Sequence, residues 1–314
     1  MTIRKQLLTS ILLAGVPLLC LGTYSIIYHY KSQKRLILEK EMETAQTMAS
    51  LLEIGVRHLV QHHRMVGRFI AQNPHRTQEA LTWVRQSSPL VVRSGYLRPD
   101  GRLAVLDPPL PGPDAVSVFD RPYFQALLQG KEWILSDLLT SRASGDLIVG
   151  LALPVWDQKG VLAGVLTAGI RPEGFTSLLR FRAEEGTYFG IVDGTGRLVA
   201  SNLHQDLTWE QRDWSREPGV QQALAGVPTI VDRFIHPLER TALMGAWVPV
   251  PALGWAVGVM DEIDQIMQPV QMAGLIQLGS LISMVLLFLV LALGVAGRLS
   301  RPIIGLAETA RKFG

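Results

Sequence analysis

Two stretches of the chain, residues 6–30 and 265–297, contain no Asp, Glu, Lys or Arg. A hydrocarbon core about 30 Å thick needs roughly 20 helical residues, so each stretch can cross a bilayer, and the spans are placed at residues 7–29 and 272–297. Beyond the first span the pattern becomes amphipathic. Leu38, Met42, Ala45, Ala49, Leu52, Val56, Leu59, His63, Val66 and Ile70 recur at alternating spacings of four and three, a heptad-like seam with one polar member. About forty residues of helix at 1.5 Å each extend about 60 Å. Pro74 closes the helix, so residues 30–74 are expected to form one long stalk. Such a seam serves either a parallel homodimer or packing of the helix on its own domain, and periodicity does not separate the two.

From residue 90 onward the period shortens to two, with turn residues between short apolar runs. Strands are expected at 91–97, 102–106, 134–139, 147–155 and 161–170, with a helix near 122–129. A second set follows at 188–192, 197–201, 229–235, 242–248 and 255–260, and residues 172–182 are expected to form the joining helix. The two sets echo each other. Gly101-Arg102-Leu103 returns as Gly196-Arg197-Leu198, Gln125-Ala126-Leu127 as Gln222-Ala223-Leu224, and Gly164-Val165 as Gly258-Val259, at offsets of 95, 97 and 94. The fold class is therefore α+β: a long N-terminal helix and two tandem modules of about five antiparallel strands, at 75–182 and 183–268, flanked by two transmembrane helices.

Charge changes this picture by adding a direction. The net charge is only +3, but Arg4 and Lys5 at one end, and Arg298, Arg301, Arg311 and Lys312 against Glu308 at the other, leave the interior with 24 basic and 26 acidic residues. Two crossings place both ends on one side, and positive flanks favour the cytoplasm. Residues 1–6 and 298–314 are then cytoplasmic, and the region between the spans is periplasmic or extracellular in a multi-pass protein of the inner (plasma) membrane. Lys31, Lys34 and Arg35 run against this, so the orientation rests on both ends together. The first apolar run is longer than the core of a signal peptide and no small-x-small cleavage site follows it. With Cys20 the sole cysteine, the exported region has no disulfide and must fold on a buried core.

Composition, 48% hydrophobic with 18% charged, excludes a disordered chain. No H-E-x-x-H, G-x-S-x-G, P-loop, kinase or cyclase motif occurs, so no enzyme activity and no cofactor are expected of these residues. Gly194-Thr195-Gly196 reads as a hairpin turn. Without a basic patch interleaved with aromatics, nucleic acid is not an expected partner. His58 and His62 are spaced i, i+4 as two metal ligands would be, with His63 beside them, but no acidic or cysteine partner completes the set locally, and no metal site is assigned.

The stretch Phe119-Asp120-Arg121-Pro122-Tyr123-Phe124-Gln125-Ala126-Leu127, followed by Ser136-Asp137, Ser141-Arg142-Ala143-Ser144-Gly145 and Gly160-Val161-Leu162-Ala163-Gly164-Val165, resembles a Cache sensor domain of the double type, a PAS-like fold. The Arg-Pro-Tyr-Phe element is also similar to that of dicarboxylate-sensing histidine kinases. Arg301-Pro302-Ile303-Ile304-Gly305-Leu306, with Ala310 and Gly314, resembles the opening of a HAMP linker. The resemblance implies a transmembrane receptor working as a parallel homodimer. A small molecule would bind the membrane-distal module, and the second span would carry the signal to HAMP and an output domain beyond residue 314, such as a histidine kinase, a diguanylate cyclase or a chemoreceptor module. The chain is on this view a fragment or a truncated product; the alternative is a truncated protein that pairs with full-length receptors and binds no ligand of its own.

The residue expected to hold the ligand is Arg121, whose guanidinium fork matches a carboxylate bidentately. Tyr123 and Phe124 follow it and could wall an apolar pocket. The alternative is that Arg121 pairs with Asp120 and that both aromatics are core. The resemblance brings in Ser141 and Arg142, in a loop that approaches the ligand in tandem Cache domains, unless Arg142 is a solvated hairpin arginine. Asp137 and Tyr96 are further candidates, as polar residues on strands that could face a cavity. Amino-acid-binding members of the family carry an Asp near the end of the last distal strand to pair with the ligand ammonium, and Thr167-Ala168-Gly169-Ile170 offers none. This counts against an amino acid and in favour of a plain carboxylate, a small organic acid, or another anion, unless Asp137 substitutes for the missing Asp from another strand.

Overall fold

The computed structural model describes residues 3–109, 116–179, 187–203 and 206–313, with side chains between residues 15 and 294 apart from the same gaps and position 292. It divides into two compact units, Met1–Ile37 with Ile263–Gly314, and Leu38–Glu262.

The helix α1 (Ile3–Gln72) stops just before Pro74, as proline requires. Within the second unit its seam is buried: Ala45, Leu52, Val56, His63, Val66 and Ile70 are almost fully covered, and Met48 and Val60 widen the stripe. The cover is the chain itself, since these side chains share one core with inward-facing residues of two sheets. A dimer seam along this face is thereby replaced by packing of the helix on its own domain. A stripe three to four residues wide per two turns is what a globular core asks of a helix, wider than the two of a coiled-coil seam.

After a 3-10 turn at Pro74–Arg76 comes α2 (Thr77–Ser87), a helix the sequence reading did not anticipate. It buries Ala80, Leu81 and Val84 at helical spacing. The first sheet follows: β1 (Val91–Leu97), β2 (Leu103–Asp107), α3 (Pro122–Leu128), β3 (Ile134–Thr140), β4 (Leu147–Trp156) and β5 (Leu162–Ile170). Asp107 at the end of β2 holds α2 in place, accepting from Arg85 Nε at 2.5 Å, Thr82 Oγ1 at 3.0 Å and Gln78 Nε2 at 3.2 Å. The next helix, α4 (Gly174–Leu179), covers part of the expected 172–182, and residues 180–182 with the module boundary at 182/183 lie outside the described residues. The second sheet is built of β6 (Thr187–Val192), β7 (Leu198–Ser201), β8 (Thr229–Ile235), β9 (Ala242–Val250) and β10 (Trp255–Glu262), with α5 (Pro218–Leu224) between β7 and β8.

The sequence echo is a structural one. The sheets are antiparallel with orders β2-β1-β5-β4-β3 and β7-β6-β10-β9-β8, the same topology twice. Gly101 and Gly196 both turn at positive φ, +78° and +80°, and a Cβ on either would lie within 3 Å of the backbone of the segment returning to the sheet, at Phe119 or Ser215. Both α3 and α5 start with proline in the first turn. The bulges match too, between Leu135 and Leu138 in β3 and between Val231 and Phe234 in β8. Each sheet is covered on both faces, by the core shared with α1 on one side and on the other by a local cluster, around Phe124 and Leu127 in the first module and around Trp214 and Trp247 in the second.

The last helix, α6 (Ile263–Phe313), begins directly after β10 and contains the one stretch among the described residues that is long and apolar enough to cross a membrane, Ile263–Leu291, with mean hydropathy 2.4. In the unit it forms with the start of α1, glycines lie against side chains of the other helix: Gly22 against Leu281, and Gly274 against Ile26. Small residues that let helix backbones approach are a hallmark of helix pairs in lipid.

Candidate ligand-binding site

On the face of the first sheet turned away from α1, side chains alternate so that Arg93, Gly95 and Leu97 of β1 share a side. Register extends this into rows: Arg93 stands beside Gly169 of β5, which stands beside Gly150 of β4, and Gly95 stands beside Thr167. Glycines in two rows leave room where side chains would otherwise fill the space. Above them α3 begins. Its N-cap, Arg121, has extended backbone (φ −73°, ψ 135°), and its carbonyl accepts the first helical hydrogen bonds from Phe124 and Gln125. The space between sheet, helix start and the β3–β4 turn is a cavity of about 90 Å³.

Four of the seven expected residues line it: Arg121, Tyr123, Ser141 and Arg142. Arg121 reaches the end of β3, donating from Nη2 to the Thr140 carbonyl at 3.0 Å. The ion pair with Asp120 belongs instead to Arg142, which binds that carboxylate through Nη1 at 2.5 Å and Nη2 at 2.7 Å, and the Ser117 carbonyl at 2.9 Å. Arg142 holds the Asp120 carboxyl down to about 2. Burial pushes the Tyr123 phenol up to about 12, so it stays a neutral hydrogen-bonding group on the cavity wall.

Three expected residues lie elsewhere. Phe124 is fully buried in the cluster beneath α3 and does not line the cavity; one step along a helix turns the side chain by about 100°, which sends Tyr123 to the wall and Phe124 to the core. Tyr96 is out of phase with Arg93 and Gly95, so it packs on the opposite face with the core around α1. Asp137 sits at the β3 bulge and faces the second module: its Oδ1 accepts the Gly194 N–H at 2.9 Å, while the adjacent Leu138 N–H donates to Asp193 Oδ2 at 2.9 Å. Desolvation there, with Asp193 nearby, raises the Asp137 pKa.

Arg93 is the charged lining residue that sequence reasoning missed. The available signal was a charged residue inside a mostly buried strand. Its Nη1 is buried without a hydrogen-bond partner, and its Nε lies 3.6 Å from Asp146 Oδ2. Taken together, the described lining holds three arginines and no Asp or Glu.

The histidines of α1 do not converge. His63 is buried with Nδ1 2.7 Å from the Leu59 carbonyl, His62 packs against Trp83 with ring centroids 4.7 Å apart, and His58 is exposed. Among the described residues no group of three or more His, Cys, Asp or Glu is placed to hold a metal.

The family model for the Cache domain matches residues 29–270 of the chain. A search of curated protein sequences finds no match. Among solved structures, the extracellular domain of a candidate histidine kinase, rpHK1S-Z16, superposes with TM-score 0.61 at 19% identity, over 73% of this chain and 97% of that one. The ligand-binding domain of the Pseudomonas fluorescens chemoreceptor CtaA, in complex with L-isoleucine, gives 0.55 at 15% identity over 76% and 95%. That of the Campylobacter jejuni chemoreceptor Tlp3, in complex with L-valine, gives 0.55 at 13% over 76% and 98%. At such identities the likeness is one of fold.

Proposed function

Because the chain belongs to the Cache domain family, in its double form, we propose that it is the extracytoplasmic input module of a transmembrane receptor and that its membrane-distal module, 75–182, binds a small organic acid against Arg121 and Tyr123. Domains of this family are sensors and carry no catalysis of their own. The observation that carries the ligand assignment is the described lining of the distal cavity, three arginines with no acidic residue. An ammonium group there would be desolvated with no anion beside it, whereas a carboxylate meets guanidinium donors. The two chemoreceptor domains hold amino acids; the position expected to carry an ammonium-binding Asp is near Gly169, which faces this cavity without a side chain.

Occupation of the cavity bears on Arg121 and therefore on Thr140 at the end of β3, the strand whose bulge bonds to Asp193 and Gly194 of the proximal module, 183–268. That chain of contacts is the proposed route from the distal site toward β10 and α6, and on through a HAMP-like segment to an output domain. The parallel homodimer proposed with it must use a face of α1 other than the seam.

The test is thermal denaturation of the full chain in detergent with a panel of small carboxylic acids, amino acids and neutral analogues. A ligand that binds only the folded state stabilises it by about 2.7 kcal/mol at a hundred times its Kd. The expected outcome is a shift with carboxylates that Arg121→Ala removes while the unliganded midpoint stays near wild type. A shift given only by amines or uncharged compounds, and surviving the substitution, would sink the assignment.

A further inference from the structure

We propose that Arg93 is a second anion anchor of the distal cavity and that the ligand accordingly carries two carboxylates. This rests on the organic-acid reading and adds a second charge to it.

Arg93 is the third residue of β1, one position before the ladder with β2 begins, and is paired with Gly169 of β5. A guanidinium in such a strand is costly unless its donors are used. Here they are used only in part. Nε forms a loose ion pair with Asp146 Oδ2 at 3.6 Å, beyond hydrogen-bond length, and Nη1 is buried without a hydrogen-bond partner. The Asp146 side chain is 58% exposed and is not part of the cavity lining. The cross-strand neighbours of Arg93 along the floor, Gly169 and then Gly150, carry no side chain that could satisfy it.

The other two arginines divide differently. Arg142 is paired bidentately with Asp120 and donates a third hydrogen bond to the Ser117 carbonyl. Arg121 spends one donor on the Thr140 carbonyl and has no carboxylate within ion-pair distance among the described residues. Two guanidinium groups without a hydrogen-bonded carboxylate thus border one small cavity, one from a strand and one from a helix N-cap. A single carboxylate, bound bidentately by Arg121, leaves Arg93 as it was; a second carboxylate on the same short chain compensates both. With a cavity of about 90 Å³, that chain has few atoms to spare.

The experiment compares propanedioate, butanedioate and pentanedioate with propanoate, butanoate and pentanoate, using calorimetry and thermal shift on the full chain in detergent. For the best-fitting length, the diacid is expected to bind the wild type about tenfold or more tighter than its monoacid, the scale of one charge-assisted hydrogen-bond pair. Arg93→Met should erase that margin, leave monoacid affinity within about threefold, and keep or raise the unliganded melting temperature, because a buried unpartnered donor is removed. Arg93→Lys keeps the charge and loses the fork; it should give an intermediate margin, and it serves where Arg93→Met does not fold. If mono- and diacids bind alike through Arg121, or if the margin persists unchanged in the Arg93 variants, the second anchor is overturned and the organic-acid reading stands. If no mono- or diacid binds the wild type while an amine or neutral compound does, that reading falls and takes this inference with it.

Discussion

Asp120 and Arg121 are adjacent, yet the carboxylate pairs with Arg142, 22 residues further on. The extended backbone at Arg121 sends successive side chains to opposite sides, so adjacency in sequence separates them in space. At this scale residue type was legible and direction was not. Arg121 and Tyr123 could be named from the sequence, but Tyr96 was placed on the wrong face because β1, with Arg93, Ser94 and Tyr96, carries polar groups on both of its faces and hides its phase. His63, the one polar member of the seam, is a further case. Its Nδ1 donates to the Leu59 carbonyl, and burial, helped by the nearby His62, lowers its pKa from 6.5 to about 4. The unfolded chain therefore binds more protons than the folded one between those values, and stability falls as the pH drops through that window. The neutral ring's contribution is fully present above about pH 6.5 and lost by about pH 4, roughly 2–4 kcal/mol if the whole shift is realised. Denaturation at pH 7 and pH 4.5 should show a smaller loss in His63→Gln than in wild type; equal losses would mean His63 does not titrate on unfolding.

Among the elements, both strand sets were placed to within one or two residues, because glycine and proline punctuate the turns and most of the runs are apolar and covered, β8 with its single buried residue apart. The missed element, α2, lies in a polar stretch whose four buried positions, Thr77, Ala80, Leu81 and Val84, form a stripe too short to stand out before its partner sheet is known. The bulge in β3 was equally hidden: it leaves Ser136 and Asp137 out of the ladder and turns the Asp137 carboxylate and the Leu138 N–H to the second module. For α1 the spacing was read correctly and the partner was not determined, since one stripe fits a second chain or a sheet. The placement makes a prediction about energy. Leu52 is fully buried in the shared core and Ile54 is 50% exposed. Leu52→Ala should cost about 2–5 kcal/mol, through lost burial and the cavity left behind, and Ile54→Ala should stay within about 0.5 kcal/mol, as surface changes do. Comparison of the two melting temperatures in the same detergent checks this; similar losses, or a larger one at Ile54, would place the seam outside the core.

At the level of the whole molecule, the fold was legible because it is written twice. Three short matches in register were enough to propose two modules, and the identical sheet orders show why so little sequence suffices: turn glycines and helix-starting prolines fix the same bends at the same intervals, while the strands between them need only be apolar. Orientation in the membrane is a different kind of inference. It rests on Arg4 and Lys5 at one end and four basic residues against one acidic at the other, with a weakly acidic middle. Of the two charge-free stretches, the one in α6 meets the length and hydropathy needed to cross among the described residues, whereas the first is described only in part. The two-crossing topology therefore turns on residues 7–29. In a Cys20→Ser background, single cysteines replacing Thr2, Asp206 and Lys312 distinguish the alternatives when intact cells are treated with a membrane-impermeant thiol reagent. With two crossings and cytoplasmic ends, Asp206→Cys labels in intact cells, and Thr2→Cys and Lys312→Cys label only after permeabilisation. Labelling at Thr2→Cys in intact cells would show that the first stretch does not hold the N-terminus inside. Protection of Asp206→Cys would invert the protein altogether, leaving the distal cavity facing the cytoplasm and removing the basis for an external sensor.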